Sequence, residues 1–388
     1  MSMRKVAREY LLDVSRLIWR QWVGGLPTGI DRVCHAYLAH FGARSQLVIQ
    51  RGTRRRILTP AQSDDLADII LANGSDFRRR LLQGGAKAIF SREADQGGHE
   101  RIYLNVGHTG LDAPDLPRWV GGSAIRAAFM IHDLIPLTHP EHCRAPEFSK
   151  HRLRMENALR CASGIISVSS ATVNDLARFA SQRDIPLPPT LAALIAMQTD
   201  RDIVTPKALD RPYFVTVGTI ESRKNHILLL QLWKRLAETL GENTPQLVII
   251  GQRGWEAQSA FAMLDRCQAL KPHVLELNHC GDDEKFEYLA GARAMLMPSF
   301  VEGYGIPVVE ALQYGTPVIV SDLPVYREIA GDIPLYLDPC DLSAWQLAVL
   351  DYLGGQGDRR RQTEMISRFE PVTWPAHFMQ VEDWLRQL

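Results

Sequence analysis

Short apolar runs alternate with amphipathic stretches along the whole chain, and this rhythm constrains the fold more than any other feature of the sequence. In the first half it predicts strands at Glu9–Val14, Gln46–Gln50, Arg101–Val106, Ala127–His132 and Gly164–Val168, and helices at Gly29–Phe41, Gln62–Leu82, Phe148–Cys161 and Ala171–Ala180. In the second half it predicts strands at Tyr213–Val217, Gln246–Ile250, His273–Leu277, Ala294–Met297, Val318–Val320 and Leu335–Leu337, and helices at Asn225–Leu240 and Trp255–Leu270. Such alternation is typical of parallel sheets wrapped by helices. The sequence therefore predicts an α/β protein.

The length of the chain indicates two domains. A chain of 388 residues exceeds the size at which a single hydrophobic core keeps growing. The Pro-rich stretch 181–189 and the polar stretch 198–202 suggest a boundary near residue 200. We predict an N-terminal domain over 1–200, a C-terminal domain over 201–370, and a final helix within 371–388 that packs back toward the first domain.

Targeting signals and cysteine pairs are missing from the sequence pattern. The N-terminal segment carries charges on both sides of a very short apolar run, unlike a signal peptide or a membrane span. No later stretch reaches the roughly 18 apolar residues that a span needs. The six cysteines form no C-x-x-C pair, which favours neither a disulfide framework nor a zinc ribbon. We expect a cytoplasmic protein.

The net charge is zero, but the two halves differ in sign. Residues 1–200 hold 26 Lys and Arg against 19 Asp and Glu, an excess of +7, and residues 201–388 hold 18 against 25, an excess of −7. The triplets 54–56 and 78–80 are all arginine. The basic half suggests an anionic partner, either a phospholipid surface at the inner face of the cytoplasmic membrane or a lipid-phosphate-linked acceptor, and not a nucleic acid. A solvated basic face is the alternative.

The most informative segment is SFVEGYGIPVVEALQYGTPVIV, residues 299–320, in which seven residues separate Glu302 from Glu310. A helix that begins near Ile306 has Pro307 near its first position, where the missing N–H costs nothing. The start of such a helix favours an anion such as a diphosphate.

Two glycines and two carboxylates give this segment its chemistry. Gly303 and Gly305 allow backbone N–H groups to approach a ligand closely. The carboxylates of Glu302 and Glu310 would accept hydrogen bonds from sugar hydroxyls rather than meet the phosphates. A glycine-rich turn with solvated glutamates is the alternative interpretation.

This segment resembles the E-x7-E signature of retaining glycosyltransferase family 4, whose members have the GT-B fold. The resemblance implies two Rossmann-like domains with parallel sheets that face a central cleft. It implies that Glu302 contacts the transferred sugar and Glu310 the ribose. The backbone that lines the diphosphate and sugar would be that of Gly303, Tyr304, Gly305 and Ile306.

A second match lies at YFVTVGTIESRKNHILLL, residues 213–230. A strand runs into Gly218, a turn carries Arg223 and Lys224, and Asn225 is placed to cap the next helix. The spacing resembles the strand, loop and helix whose basic side chains reach the diphosphate in this family. Many members have an arginine directly after the glycine, where this chain has Thr219, so we assign the diphosphate charge jointly to Arg223 and Lys224. A basic turn without a ligand is the alternative.

The N-terminal half carries further candidates. LPTGIDRVCHAYLAHF (26–41) resembles the family's first loop and helix, in which Gly29 would bring backbone close to the sugar or phosphate. FMIHDLIPLTHPEH (129–142) resembles its H-D-L-x-P-L stretch and places His132 and Asp133 at the end of a predicted strand, the usual ligand edge. His132 would act near the reacting sugar as a hydrogen-bond partner or polariser, and His108 would line the acceptor side. Core histidines are the alternative.

Two patterns look like metal sites, and we predict neither as one. His139, His142 and Cys143 form H-x-x-H-C without a fourth ligand at a recognisable spacing. Asp200 and Asp202 form a D-x-D within the predicted linker. A cation about 4 Å from an anion is worth roughly 4 kcal/mol at an effective dielectric near 20, so two cations and a helix start suffice for the leaving diphosphate. We expect no metal and no cofactor besides the donor.

These features predict a retaining, metal-independent glycosyltransferase that moves a hexosyl unit from a nucleoside diphosphate sugar to a hydroxyl of a lipid-linked or polysaccharide acceptor. The form of the 218–225 turn resembles bacterial polysaccharide mannosyltransferases, which favours GDP-mannose, with UDP-sugars next. The nucleotide base is expected near residues 275–286. Alternatives are another GT-B enzyme, such as a sugar-nucleotide epimerase or a phosphorylase, a non-catalytic nucleotide-sugar-binding protein, and a peripheral membrane protein.

Overall fold

The computed structural model describes residues 8–24, 27–72, 74, 76–85, 101–197 and 204–388, and these divide into two compact units. Unit 1 comprises Met1–Leu134, Ser149–Ile195 and Trp374–Leu388. Unit 2 comprises Ile135–Phe148 and Ala196–Thr373. The two units are therefore not two consecutive stretches of the sequence, because unit 2 includes Ile135–Phe148.

Unit 1 is built on a seven-stranded sheet in the order β3-β2-β1-β4-β5-β6-β7. Its strands are β1 Tyr10–Asp13, β2 Ser45–Arg51, β3 Arg54–Ile57, β4 Ile102–Asn105, β5 Arg126–Ile131, β6 Gly164–Ser167 and β7 Thr190–Ala192. All neighbours are parallel except β2 and β3, which form an antiparallel hairpin. Its first described helices are α1 Ser15–Val23, α2 Gly29–Phe41, α3 Pro60–Leu71, α4 Phe77–Arg80 with a π-helical turn at Leu81–Gly85, and α5 Leu116–Gly122.

Unit 2 is built on a six-stranded, wholly parallel sheet in the order β10-β9-β8-β11-β12-β13. Its strands are β8 Tyr213–Val217, β9 Gln246–Ile250, β10 Val274–Leu277, β11 Met295–Met297, β12 Val318–Ser321 and β13 Leu335–Leu337. Further along the described residues, in both units, the helices are α6 Ile135–Thr138, α7 Ala145–Cys161, α8 Ser170–Gln182, α9 His226–Leu240, α10 Gln258–Arg266, α11 Asp282–Gly291, α12 Ile306–Gln313, α13 Pro324–Ala330, α14 Leu342–Gly354, α15 Gly357–Ile366 and α16 Trp374–Leu385. The predicted α/β class is confirmed.

The central strands of unit 2 are mainly apolar and buried, as in other parallel sheets that are covered on both faces. All five residues of β8 are buried. The leucine-rich helix α9 packs its apolar face on this sheet, and Trp233 lies in the core with its indole N–H donating to the carbonyl of Pro245 at 2.8 Å. This rigid frame positions the turn that connects β8 to α9.

Three local predictions were wrong. The pattern of apolar runs predicted no strand at β3, which returns along β2 through a turn with Gly52 at φ 61°. The short strand β7 was missed because two prolines precede it. The single helix predicted over Gln62–Leu82 is two helices, since α3 ends at Leu71 and α4 begins at Phe77.

The hairpin also changes the interpretation of the three arginines at 54–56 as a basic surface. The Arg55 side chain is only 2% exposed and pairs with Asp115 at 2.8 Å. Its guanidinium lies 5.2 Å from the centre of the Trp119 ring, a cation–π contact. One of these three arginines is therefore part of the packing of unit 1 and not of a solvated basic face.

The C-terminal helix α16 completes unit 1. Nε2 of His377 and the hydroxyl of Tyr37 on α2 are hydrogen bonded at 2.9 Å, and Nδ1 of His377 lies 2.9 Å from the carbonyl oxygen of Leu194. Phe378 is buried and stacks on the His40 ring with 3.9 Å between ring centres. The last segment of the chain is thus part of the core that α2 forms.

Within the described ranges, no helix combines the length and the apolarity that a membrane span requires.

The packing of α16 predicts different outcomes for two neighbouring substitutions. Phe378 is 5% exposed and Met379 is 66% exposed. Phe378→Ala should lower the free energy of unfolding by about 3–5 kcal/mol because it empties a packed aromatic site. Met379→Ala should change it by less than about 0.5 kcal/mol. Urea denaturation measures both, and equal effects of the two substitutions would contradict the assignment of α16 to the core.

Candidate functional site

A tight turn between β8 and α9 holds two basic residues at the end of a buried strand. Gly218 has φ 139°, and a Cβ atom there would lie 3.2 Å from Cε of Lys224, so this position requires glycine. Residues Ser222–Lys224 form a 3-10 turn. Asn225 follows with φ 54°, and its side chain donates to the carbonyl of Pro339 at 2.8 Å instead of capping α9.

The order of the sheet brings this turn to a second loop far along the chain. Strands β8 and β11 are parallel neighbours, so the segments that follow their carboxyl ends meet at one edge of the sheet. The backbone N–H of Phe300 donates to the carbonyl of Arg223 at 2.8 Å. Arg223 and Glu302, 79 positions apart, therefore lie side by side.

Glu302 is held by both basic residues of the turn. Its Oε2 accepts from Nη1 of Arg223 at 2.7 Å, and its Oε1 lies 2.6 Å from Nζ of Lys224. The hydroxyl of Ser299 donates to the same Oε1 at 3.0 Å. The structure thus joins three residues that the sequence predicted for one site.

Burial makes this network strongly electrostatic. The Glu302 side chain is 7% exposed and that of Lys224 9% exposed. Burial would raise the pKa of Glu302, but Arg223 and Lys224 outweigh it and lower the pKa to about 2. Burial lowers the pKa of Lys224, and the Glu302 charge opposes this effect. Glu302 is consequently an ionised acceptor at neutral pH.

The second glutamate of the motif has a partner that the sequence analysis missed. Glu310 is buried in α12, and its Oε1 lies 2.8 Å from Nζ of Lys285 in α11. Lys285 also contacts Asp282 at 3.1 Å, and its Nζ lies 4.3 Å from the centre of the Phe286 ring. Lys285 directly follows the acidic run 282–284, within the segment 275–286 expected near the base, and no local pattern pairs it with Glu310.

The glycine-rich segment between the two glutamates has the predicted helix start. Gly305 has φ 105° and precedes α12. A Cβ atom at this position would lie 2.6 Å from the Tyr326 ring, so both the backbone angle and the available space require glycine. Tyr304 is buried, and Gly303 and Ile306 are half-buried. The turn therefore presents backbone at the beginning of α12, beside Glu302 in sequence.

The candidates in the N-terminal half lie in unit 1. Nε2 of His132 lies 2.8 Å from the carbonyl oxygen of Val106, and Nε2 of His108 lies 2.9 Å from that of Met130. Burial lowers the pKa of His132 to about 4 and that of His108 well below its usual value. The two rings, 5.1 Å apart, are neutral hydrogen-bonding groups and not cations near neutral pH.

Gly29 and Asp133 occupy the ends of elements in unit 1. Gly29 is the first residue of α2, where Thr28 and Asp31 form a reciprocal capping box. Asp31 in turn is paired with Arg16 at 2.7 Å. The carbonyl oxygen of Asp133 accepts a hydrogen bond from the His151 ring at 3.0 Å. Gly24 closes α1 with φ 72°, and Gly25 lies outside the described residues.

The metal-like patterns have other surroundings. His142 uses Nδ1 for a hydrogen bond of 2.8 Å with Ser222, and its ring stacks on Phe300 with 5.2 Å between centres. The D-x-D at 200–202 lies outside the described residues. In the described part of the chain, no three His, Cys, Asp or Glu side chains are grouped so that they could hold a metal ion.

A cationic turn and a glycine-rich helix start lie together at the edge of the unit 2 sheet where α/β proteins bind anionic ligands such as nucleotides. Residues 198–366 match the family model described as glycosyl transferases group 1. The match includes Arg223, Lys224, Lys285, Glu302 and Glu310. This match agrees with the glycosyltransferase class that the sequence predicts.

Among curated proteins the chain resembles bacterial mannosyltransferases. It is 29% identical to the serotype-specific mannosyltransferase WbdA of Escherichia coli over 252 residues, which are 58% of this chain and 30% of WbdA. It is 27% identical to the O-antigen chain mannosyltransferase B of Escherichia coli over 238 residues, which are 59% of this chain and 61% of that protein. The chain therefore spans less than two thirds of the length of these relatives.

Solved structures share the fold over nearly the whole chain. The Anabaena protein HepE, in complex with UDP-glucose, superposes with a TM-score of 0.66 at 12% identity, covering 98% of this chain and 99% of HepE. The sucrose-phosphate synthase of Thermosynechococcus elongatus superposes with a TM-score of 0.62 at 15% identity, covering 97% and 98%. The prediction of two Rossmann-like domains of the GT-B type is confirmed.

The buried network predicts strong coupling between Glu302 and Lys224. Glu302→Gln should lower the free energy of unfolding by about 3 kcal/mol because it leaves a buried cation without its carboxylate. In Glu302→Gln/Lys224→Met the two losses should not add, and the coupling energy should be about 2 kcal/mol. Urea denaturation of the four proteins in the cycle measures it.

The exposed pair Lys234 and Glu238 in α9, 3.7 Å apart, provides the control. Glu238→Gln should change the free energy of unfolding by less than about 0.5 kcal/mol. Strictly additive losses for Glu302 and Lys224 would contradict the close contact between their side chains.

Proposed function

We propose that this protein is a retaining glycosyltransferase that moves a hexosyl unit from a nucleoside diphosphate sugar to a hydroxyl of a lipid-linked or polysaccharide acceptor. The observation that carries the proposal is the direct contact of Glu302 with Arg223 and Lys224, inside a group 1 glycosyl transferase domain. This contact assembles charges for a diphosphate and a hydrogen-bond acceptor for a sugar at one place.

The electrostatics of unit 2 support metal-independent transfer. When the bond between the sugar and the diphosphate breaks, negative charge grows on the departing phosphate. Arg223 and Lys224 are fixed before the reaction, so they stabilise that charge without reorganising. The start of α12 adds a partial positive charge. In this proposal Glu302 accepts hydrogen bonds from the donor sugar, and Glu310 accepts them from the ribose.

The donor and acceptor are proposed from the relatives. Curated proteins that resemble this chain are named mannosyltransferases of O-antigen synthesis, which supports mannose and GDP-mannose as the donor. Because UDP-glucose is bound by a structural neighbour, UDP-sugars are the next candidates. The basic excess of the N-terminal half supports an anionic, lipid-linked acceptor at the membrane surface. His132, Asp133, His108 and Gly29 would contact the sugar or the acceptor.

A donor screen followed by a transfer assay tests the proposal. A ligand that binds only the folded state raises the melting temperature, and it does so more the more tightly it binds. GDP-mannose should therefore raise the melting temperature of the protein more than other nucleotide sugars do. With a glycan acceptor and EDTA present, the wild-type protein should form a new α-linked mannoside. Arg223→Gln should lower kcat/KM by at least about 100-fold, as removal of one preorganised donor group does in other enzymes.

The control is Arg235→Gln, the same change at an exposed arginine of α9, which should leave kcat/KM unchanged. Equal rates for Arg223→Gln and the wild type would contradict the assigned role of Arg223. A product formed without an acceptor would indicate an epimerase, and dependence on inorganic phosphate would indicate a phosphorylase. Donor binding without any turnover would indicate a binding protein.

A further inference from the structure

The guanidinium of Arg223 is held between two carboxylates. Its Nη1 donates to Glu302 at 2.7 Å, and its Nη2 lies 2.6 Å from Oε1 of Glu221. Nη1 also donates to the carbonyl of Val301 at 3.3 Å. The two ends of the guanidinium are therefore fixed by different segments, and the turn itself supplies one of them.

Glu221 is anchored by a backbone that has little freedom. Ile220 on its N-terminal side is fully buried, and its N–H donates to the carbonyl of Gln252 at 2.9 Å. The carbonyl of Glu221 accepts from the N–H of Lys224 at 3.1 Å. Gly254 packs so closely that a Cβ atom there would lie 2.5 Å from Thr219 and 3.6 Å from Cβ of Glu221. The Glu221 side chain is 3% exposed, and its carboxylate holds the guanidinium of Arg223 in place.

The charges of the four side chains cancel without a ligand. Arg223 and Lys224 contribute two positive charges, and Glu221 and Glu302 contribute two negative charges. A nucleoside diphosphate sugar brings two more negative charges to the turn. Glu302 contacts both cations, whereas Glu221 has Arg223 as its ion-pair partner among the described residues. When the diphosphate attracts Arg223, Glu221 is the carboxylate that loses its counter-charge in a buried position.

A buried carboxylate without a counter-charge is costly, and such a group takes up a proton instead. We propose that Glu221 is a positioning residue for Arg223 and that it takes up one proton from solvent when the nucleoside diphosphate sugar binds. The proton converts the carboxylate to a neutral acid, and the turn gains one net positive charge for the diphosphate. This inference rests on the proposed function, because it requires the donor to bind at Arg223.

The surroundings of Glu221 agree with this direction. Burial raises the pKa of Glu221, Arg223 and Lys224 lower it, and Glu302 raises it again. Arg253, which precedes Gly254, forms ion pairs of 2.7 Å with Asp265 and with Glu276. A diphosphate that shares the charge of Arg223 weakens the largest influence that lowers the pKa of Glu221, so this pKa rises on binding. A rise in pKa on binding means uptake of a proton.

Calorimetry in buffers of different ionisation enthalpy measures this proton. GDP-mannose, with UDP-glucose as the second probe, is titrated into the full chain near neutral pH without acceptor. A nucleotide sugar has no terminal phosphate monoester, whose own proton would leave near pH 6 and obscure the result. The wild type should take up as much as about one proton per donor, and Glu221→Gln should take up none. Wild-type affinity should also fall by up to about tenfold per pH unit above neutrality, while that of Glu221→Gln stays flat.

The positioning role has its own readout. Glu221→Ala should lower kcat by about tenfold or more, whereas Glu221→Gln should keep most of it, because the amide oxygen still accepts from Arg223. Glu238→Gln, the same charge change on the surface of α9, should match the wild type in proton uptake and rate.

The outcomes separate the inference from the proposed function. Donor binding without proton uptake by the wild type, or with equal uptake by Glu221→Gln, would overturn the proton role while leaving the transferase proposal intact. If Glu221→Ala kept the wild-type rate, the positioning role would be wrong. If neither nucleotide sugar binds the folded wild type, the proposed function fails and takes the inference with it.

Discussion

The contact of Glu302 with Arg223 and Lys224 is the interaction on which the rest of the site depends. It places an ionised carboxylate and two cations in a nearly water-excluded position, where electrostatic effects are larger than at the surface. A network of this kind is costly to bury and is weak evidence for stability on its own account. A functional origin explains it better, because the same groups are the ones that a sugar diphosphate needs.

The parallel sheet of unit 2 brings these groups together. Strands β8 and β11 are neighbours although the chain visits β9 and β10 between them. The residues after their carboxyl ends are therefore adjacent in space and distant in sequence. Gly218 and Gly305 are required where the backbone turns from strand to helix, since both have positive φ, and a Cβ atom at Gly305 would also lie 2.6 Å from the Tyr326 ring. The fold thus supplies the geometry, and only a few residues supply the chemistry.

Sequence reasoning predicted the frame and selected Arg223, Lys224 and Glu302, which are in contact in the structure, because strand periodicity and the E-x7-E spacing are local signals. It failed where the determinant is a long-range contact. Lys285 lies in an acidic helix start and becomes informative only beside Glu310. Glu221 looks like an ordinary turn residue until Arg223 is seen against it. The membership of Ile135–Phe148 in unit 2 and the hairpin strand β3 likewise depend on partners that no local pattern reveals.

A crystal structure of the protein with a bound nucleoside diphosphate sugar tests the central claim most directly. The account predicts that the diphosphate lies against Arg223 and Lys224 at the start of α12, with Glu302 within hydrogen-bonding distance of the sugar hydroxyls. A nucleotide sugar bound elsewhere, with the contacts of Glu302 to both cations unchanged, would contradict it.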